Sequence, residues 1–263
     1  MLLAGFDRRD LGMLTNLFRM SLVDRFLGSA LGVVWAVLSP LMLLGIFCFV
    51  FTYVFPSRLP GKEGTLPFII WLMSGYGPWL GIAEGLSTST ASVVASAGIV
   101  KNIAFKSELL PITGALMGLV PLLVSFVLII ALNVGGGIAP SWAMLALPFV
   151  ILLQFIFIAG LGLFLSALNV FVRDTALVLP NVLTLILFAS PIFYSMSSYP
   201  EAAQRILRFN PLYVISEGYR APIIGGVLPD LRMMAYLTIV SLAVFVGGLW
   251  WFRRLKSFFD TRL

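Results

Sequence analysis

Five stretches of this chain carry no charged side chain: residues 26–57, 64–83, 109–172, 175–200 and 233–252. About 20 apolar residues cross a hydrocarbon core roughly 30 Å thick as a helix, so each stretch is long enough for at least one span. A helix satisfies every backbone N–H and C=O within its own segment, which lipid demands and water does not. The longest stretch is divided by "NVGGGIAPSW", Asn133 to Trp142, a turn-rich break that leaves a span on each side. The pattern predicts an all-α integral membrane protein, one domain over residues 1–263, with six transmembrane helices at 30–55, 66–88, 112–132, 143–169, 176–193 and 232–252. An even number puts both termini on one side. Eleven of the 17 Lys and Arg residues then share that side, the cluster "FRRLKSFFDTR" foremost, so both termini are expected in the cytosol.

Composition narrows the chemistry. Only 11% of residues are charged, where a soluble protein has about a quarter. Histidine is absent and Cys48 is the single cysteine, which removes the commonest general base, the commonest metal ligand and any disulfide within the chain. The net charge of +6 lies beside apolar blocks rather than on an extended basic surface, so it suits lipid headgroups and not nucleic acid. The spans hold one deep ionisable residue, Glu84 near the inner end of the second, which argues against an ion-coupled transporter. No cluster of acids near an interface suggests a membrane enzyme.

The N-terminus carries Asp7, Arg8, Arg9 and Asp10 before any long apolar run and is expected to be retained rather than cleaved. Over residues 7–27, Leu11, Leu14, Phe18 and Leu22 form one helical stripe, which fits an amphipathic interface helix on the membrane or an ordinary helix packed on the protein. Arg19 and Arg25 are its inner-leaflet candidates, for a substrate phosphate or for lipid headgroups. Between the second and third spans, "ASAGIVKNIAFKSELLP" fits a short surface helix or a plain connector. Residues 194–226 hold two pieces divided at Pro211, each too short to cross and too apolar for a solvated loop. They predict two short helices, the first with Ser198 as N-cap and the second bounded by Pro211 and Pro222, dipping back as re-entrant elements. Glu217 and Arg220 stand three apart there, close enough to pair. Trp71, Tyr76 and Trp79 offer flat faces with polar edges, as a sugar conduit needs, although aromatic belts occur in any membrane protein.

The ordered segments "DRFLGSALGVVWAVLSPLMLL", "AGIVKNIAFKSELLPI", "LNVFVRDT", "SPIFY" and "NPLYVISEGYRAPI" resemble the membrane subunit of ABC-2 type exporters. Within that superfamily the chain looks most like permeases for lipid-linked bacterial polysaccharides such as O-antigen, capsule and teichoic acid. The resemblance implies a homodimer in the bacterial inner membrane, bound to two copies of an ATPase subunit. It makes residues 96–108 the coupling helix, with Lys101, Phe105, Lys106 and Glu108 against the ATPase, and makes the outer helices, with Glu217, Tyr219 and Arg220, a cap over the conduit. Periplasmic or outer-membrane export proteins are further expected partners. The only Gly-Lys pair, Gly61 and Lys62, is followed by Glu63, so this chain lacks a phosphate-binding loop and is expected to bind no cofactor. ATP and Mg²⁺ then belong to the partner, and this chain is not an enzyme. A permease for a drug or other small amphiphile is the alternative.

Overall fold

The computed structural model describes residues 7–25, 27–54, 65–102 and 105–262. Every regular element among them is helical. Helix α1 covers Arg8–Asp24. Helix α2, Trp35–Phe49, is lengthened by a 3-10 turn before it and a π turn after it into one rod, Gly32–Val54. Helix α3 is Leu66–Ala95 and α4 is Ala97–Asn102. Helices α5, Leu109–Met117, and α6, Leu119–Gly135, meet at Gly118 and run on as one segment. Helix α7 is Leu147–Phe171, α8 Asp174–Ala189, α9 Glu201–Leu207, α10 Pro211–Arg220 and α11 Leu231–Leu255.

Five helical segments are long and apolar enough to cross a membrane: Gly32–Val54, Leu66–Ala95, Leu109–Gly135, Trp142–Phe171 and Leu231–Phe259. Where a sixth span is expected, at 176–193, the chain is helical as α8, Asp174–Ala189, which has only 16 residues and is shorter than those five. At 1.5 Å per residue it reaches about 24 Å. Its end has a local cause. Ser190 precedes Pro191, whose ring pushes the preceding residue out of helical conformation, and Ser190 adopts φ −94°, ψ 148°.

At two crossings the spans come into backbone contact. A methyl group on Gly248 of α11 would lie 2.1 Å from the carbonyl oxygen of Gly160 on α7, and one on Gly160 would lie 2.5 Å from the backbone nitrogen of Phe245. Helices α3 and α6 meet in the same way, since a methyl on Gly118 would lie 2.2 Å from the Gly81 carbonyl oxygen. Small residues at helix crossings suit lipid, where apolar burial alone gives helices no reason to associate. The main core lies between α3, α6, α7, α10 and α11, with α3 the most enclosed of the spans and Gly32–Val54 the least.

A second, smaller core at the α1 end joins Leu17, Val93, Leu109, Leu110, Phe252 and Phe259. Of the expected stripe on α1, Leu14 packs against this core, Phe18 and Leu22 are half-buried and Leu11 is 64% exposed; Leu17, outside the stripe, is the buried centre. The expected cap on α9 is also displaced. Ser198 lies in a 3-10 turn and Pro200 stands at the N-cap, with no side-chain cap bond. The next helix is capped by Asn210, whose Oδ1 accepts from the Leu212 N–H at 3.0 Å.

Candidate functional site

At the α1 end, charges held near neighbouring elements pair with one another. The Arg25 guanidinium donates to both carboxylate oxygens of Glu84 on α3, its Nη2 at 3.0 Å from Oε2. Lys106 Nζ donates to Asp10 on α1, a bond that holds the Asp10 carboxyl below the usual aspartate range. Glu108, only 3% exposed, accepts from Arg253 Nε and from Lys256 Nζ, both at 3.2 Å. Burial pushes the Glu108 carboxyl up, but its own backbone hydrogen bond, Lys256 and Arg253 together outweigh this and hold it below the ordinary value of 4.5. The contact therefore contributes fully above that value and is lost only as the pH falls through the depressed one.

The four coupling candidates thus have different surroundings. Lys101 is exposed at the end of α4. Phe105 packs against the smaller core. Lys106 ties the connector to α1, and Glu108 ties it to the end of α11. The expected helix over 96–108 is realised as α4, Ala97–Asn102, and residues 103 and 104 lie outside the described ones. Arg19 is exposed on α1.

Two adjoining cavities of about 270 and 460 Å³ lie beneath α1, and Arg25, Glu84, Ser87 and Met117 line both. The first is walled mainly by apolar side chains, among them Trp35, Leu43, Leu80 and Val120. The second runs past Ser87, Thr88, Ser92 and Ser96. Residues 80, 84, 87, 91 and 95 recur at helical spacing, so both cavities follow one face of α3.

At the opposite end the outer-helix candidates are organised around a buried arginine. Arg220 is 4% exposed and donates to the Pro191 carbonyl at 3.1 Å, to the Ile192 carbonyl at 2.6 Å and to Glu217 Oε1 at 3.1 Å. Its guanidinium also stacks over Trp71, 3.9 Å from the ring centroid. The carbonyls it binds belong to the turn that follows the end of α8. Asn210 reinforces the same place, donating to Ser190 Oγ at 2.9 Å. Gly75 leaves room for the arginine, since a methyl there would lie 2.5 Å from Nη2. Glu217 is the accessible member of the pair, its side chain 34% exposed.

Tyr219 is fully buried and donates to Gln154 Oε1 at 2.7 Å, while Gln154 Nε2 donates to the Pro78 carbonyl at 3.0 Å. This chain of bonds joins α10, α7 and α3. Tyr76 lies against Phe47 and Phe193, with ring centroids 4.5 and 5.3 Å away, and Trp79 is buried in the main core. Of the three conduit candidates, Trp71 is the partly exposed one. Gln154, Gly75 and the pairing of Arg25 with Glu84 were not among the residues the sequence singled out. An uncharged span containing one glutamine was a signal for the first.

Residues 14–224 match the ABC-2 type transporter family. Three relatives are similar over most of their length. An O-antigen export system permease protein RfbA of Myxococcus xanthus is 27% identical over 235 residues, 89% of this chain and 88% of the relative. A protein of the same description from Klebsiella pneumoniae is 28% identical over 233 residues, 88% and 87% of the two chains. The polysialic acid transport protein KpsM of Escherichia coli is 25% identical over 234 residues, 89% of each.

Proposed function

The chain belongs to the ABC-2 type transporter family, and from that premise we propose that it is the membrane-spanning permease subunit of an ATP-driven exporter of lipid-linked polysaccharide, of O-antigen or capsular type. The observation that carries this reading is similarity to polysaccharide export permeases along 88–89% of the chain, which favours polysaccharide over a drug or other small amphiphile. The protein works in the bacterial inner membrane as a homodimer with two ATPase subunits, and each chain supplies half of the conduit wall. Both termini are cytosolic, and α8 is the fifth of six spans. In this arrangement α1 rests at the inner leaflet with Arg19 and Arg25 at the headgroup level, while α9 and α10 form the re-entrant outer cap. Outer-membrane export partners belong to the same reading. Reconstituted alone in vesicles, the protein is expected to show no ATP hydrolysis. With its ATPase it is expected to move lipid-linked polysaccharide in an ATP-dependent way. Turnover that survives removal of contaminating ATPases would sink the proposal, and ATP-dependent movement of small amphiphiles without polysaccharide would favour the alternative.

Nucleotide-driven movement of the partner enters through the segment 96–108. Support comes from its charge links: a connector tied to α1 by Lys106 and to α11 by Glu108 passes a displacement to both helices. Lys101, exposed on α4, is the docking cation, with Phe105 behind it. Lys101→Glu is expected to weaken ATPase association about tenfold, as the loss of one charge-assisted contact would. Glu108→Gln is expected to leave association intact and lower the polysaccharide moved per ATP hydrolysed. Titration of complex formation, with transport and hydrolysis measured on the same vesicles, separates the two. Normal association in the first variant and normal coupling in the second would refute this assignment. Trp71, Tyr76 and Trp79 are assigned to the conduit wall, with Trp71 the residue closest to meeting a sugar ring.

A further inference from the structure

The segment that follows α11 is a 3-10 turn, Lys256–Thr261, and in such a turn side chains three apart eclipse one another. Lys256 and Phe259 therefore share a face, while Ser257 and Phe258 between them are exposed. Phe259 is only 1% exposed. Its ring meets Phe252 edge-on at 5.3 Å and Phe171 at 6.2 Å, in the smaller core that also holds Leu17 of α1, Val93 of α3, and Leu109 and Leu110 of α5. Lys256 reaches both carboxylate oxygens of Glu108, at 3.4 and 3.2 Å. The lysine side chain is itself 41% exposed, a point charge on a flexible stem that packing does not hold. What aims it at Glu108 is the rotation of the turn, and what fixes that rotation is the buried ring.

We infer that Phe259 is a positioning residue for the coupling segment, acting through Lys256 on Glu108. The inference rests on the reading of residues 96–108 as the segment that receives the ATPase's movement, and it extends that machinery to a turn whose lysine lies 148 positions from Glu108. Glu108 stands at the N-cap of α5, where the chain is closed by short turns: the Leu109 N–H donates to the Lys106 carbonyl at 2.9 Å and the Leu110 N–H to the Ser107 carbonyl at 3.2 Å. The place of such a connector is set by its ion pairs and by the core side chains beside it. With the ring seated, Glu108 is gripped by Arg253 and Lys256 together, and a push on the connector moves α5 and the end of α11 as one. Without the ring the turn rotates, Lys256 leaves, and part of the push is lost in the connector.

The test uses the full-length protein, alone and with its ATPase. Hydrogen exchange of the protein in detergent, read by mass spectrometry, follows the Leu109 and Leu110 amides. Phe259→Ala is expected to speed their exchange by at least about tenfold, because truncating a buried aromatic loosens the core around it, while the amides of α3 and α7 stay slow. Phe259→Leu keeps an apolar side chain in the gap and is expected to restore most of the protection. In vesicles with the ATPase, Phe259→Ala is expected to leave association unchanged and to lower the polysaccharide moved per ATP hydrolysed. Adding Glu108→Gln is expected to cause no further loss, because both substitutions act through one contact. Since Phe259→Ala can fail to fold, Lys256→Met carries the same test: it leaves the ring seated and removes only the charge, and is expected to give the same changes in smaller degree. Unchanged exchange at Leu109 and Leu110, a rise spread evenly through α3 and α7, or losses that add to those of Glu108→Gln would each overturn the inference. Vesicles in which the wild type moves no polysaccharide would sink the exporter reading instead, and the exchange measurement would still decide whether Phe259 positions the connector.

Discussion

Arg220→Ala is expected to cost the protein most of its stability, and with it the packing of the whole α8–α10 end. The substitution removes the donor for two carbonyls at the broken end of α8, leaves Glu217 without its cation and opens a void against Trp71. Removing one partner of a buried pair costs about 3–5 kcal/mol, and unsatisfied backbone carbonyls add to it. Arg220→Lys is expected to recover little, because a single ammonium cannot stack on Trp71 and reach two carbonyls and a carboxylate in the fixed fork of a guanidinium. Thermal unfolding of purified protein in detergent measures this. A midpoint near that of the wild type for Arg220→Ala would show that the break in α8 is held by something else. Glu217→Gln is the contrasting case. Glu217 is partly exposed, so its neutral variant is expected to keep the fold and, if α10 caps a conduit, to raise the leak of small solutes.

The second large effect is expected at the crossing of α7 and α11. Gly160→Leu puts a side chain where the backbone of Phe245 and Val244 already stands, with the first added carbon 2.5 Å from a nitrogen. Overpacking a well-filled core costs typically 1–3 kcal/mol. Here the obstacle is backbone, which cannot turn aside as a flexible side chain does, so a value at or above the upper end, about 3 kcal/mol, is expected. Gly247→Leu, one residue from Gly248 but with open space around it, serves as the matched control and is expected to be tolerated. The two are compared by yield of monodisperse protein and by unfolding midpoint. Equal behaviour would mean that the helices separate without penalty.

These two sites also mark where sequence reading stops. The long spans were legible because lipid forbids charge over about 20 residues, and that rule acts residue by residue. The helical cut at Asn133–Trp142 and the two short helices after α8 were legible from prolines and glycines in the same way. The length of α8 was less so. Its stop depends on Ser190–Pro191, while the carbonyls of the turn that follows are bonded by Arg220, some 30 positions later. The pairing of Arg25 with Glu84 spans 59 positions, and that of Glu108 with Arg253 spans 145. No local period encodes either. The candidate residues on α4 and α10 were found because they are rare charges in an apolar chain, whereas what each one touches is a property of the packed helices. The burial of Tyr76, Trp79 and Tyr219 was invisible for a related reason: an aromatic residue has the same pattern in sequence whether it faces a neighbour or a sugar.

The shortness of α8 has a consequence for the surrounding lipid. A rod of about 24 Å beside segments of 23 to 30 residues leaves the protein with unequal hydrophobic height around its perimeter. Lipid meets such a flank by compressing, at a fraction of a kcal/mol for each ångström. With α8 as a span and the chain paired as proposed above, a bilayer thinned by about 6 Å along one side of each chain would be a soft elastic load that two chains reduce by bringing their short flanks together. Membrane thickness would then be a variable that such a pair senses: short-chain lipids would relax the load, and long-chain lipids would increase the force that draws two copies into register.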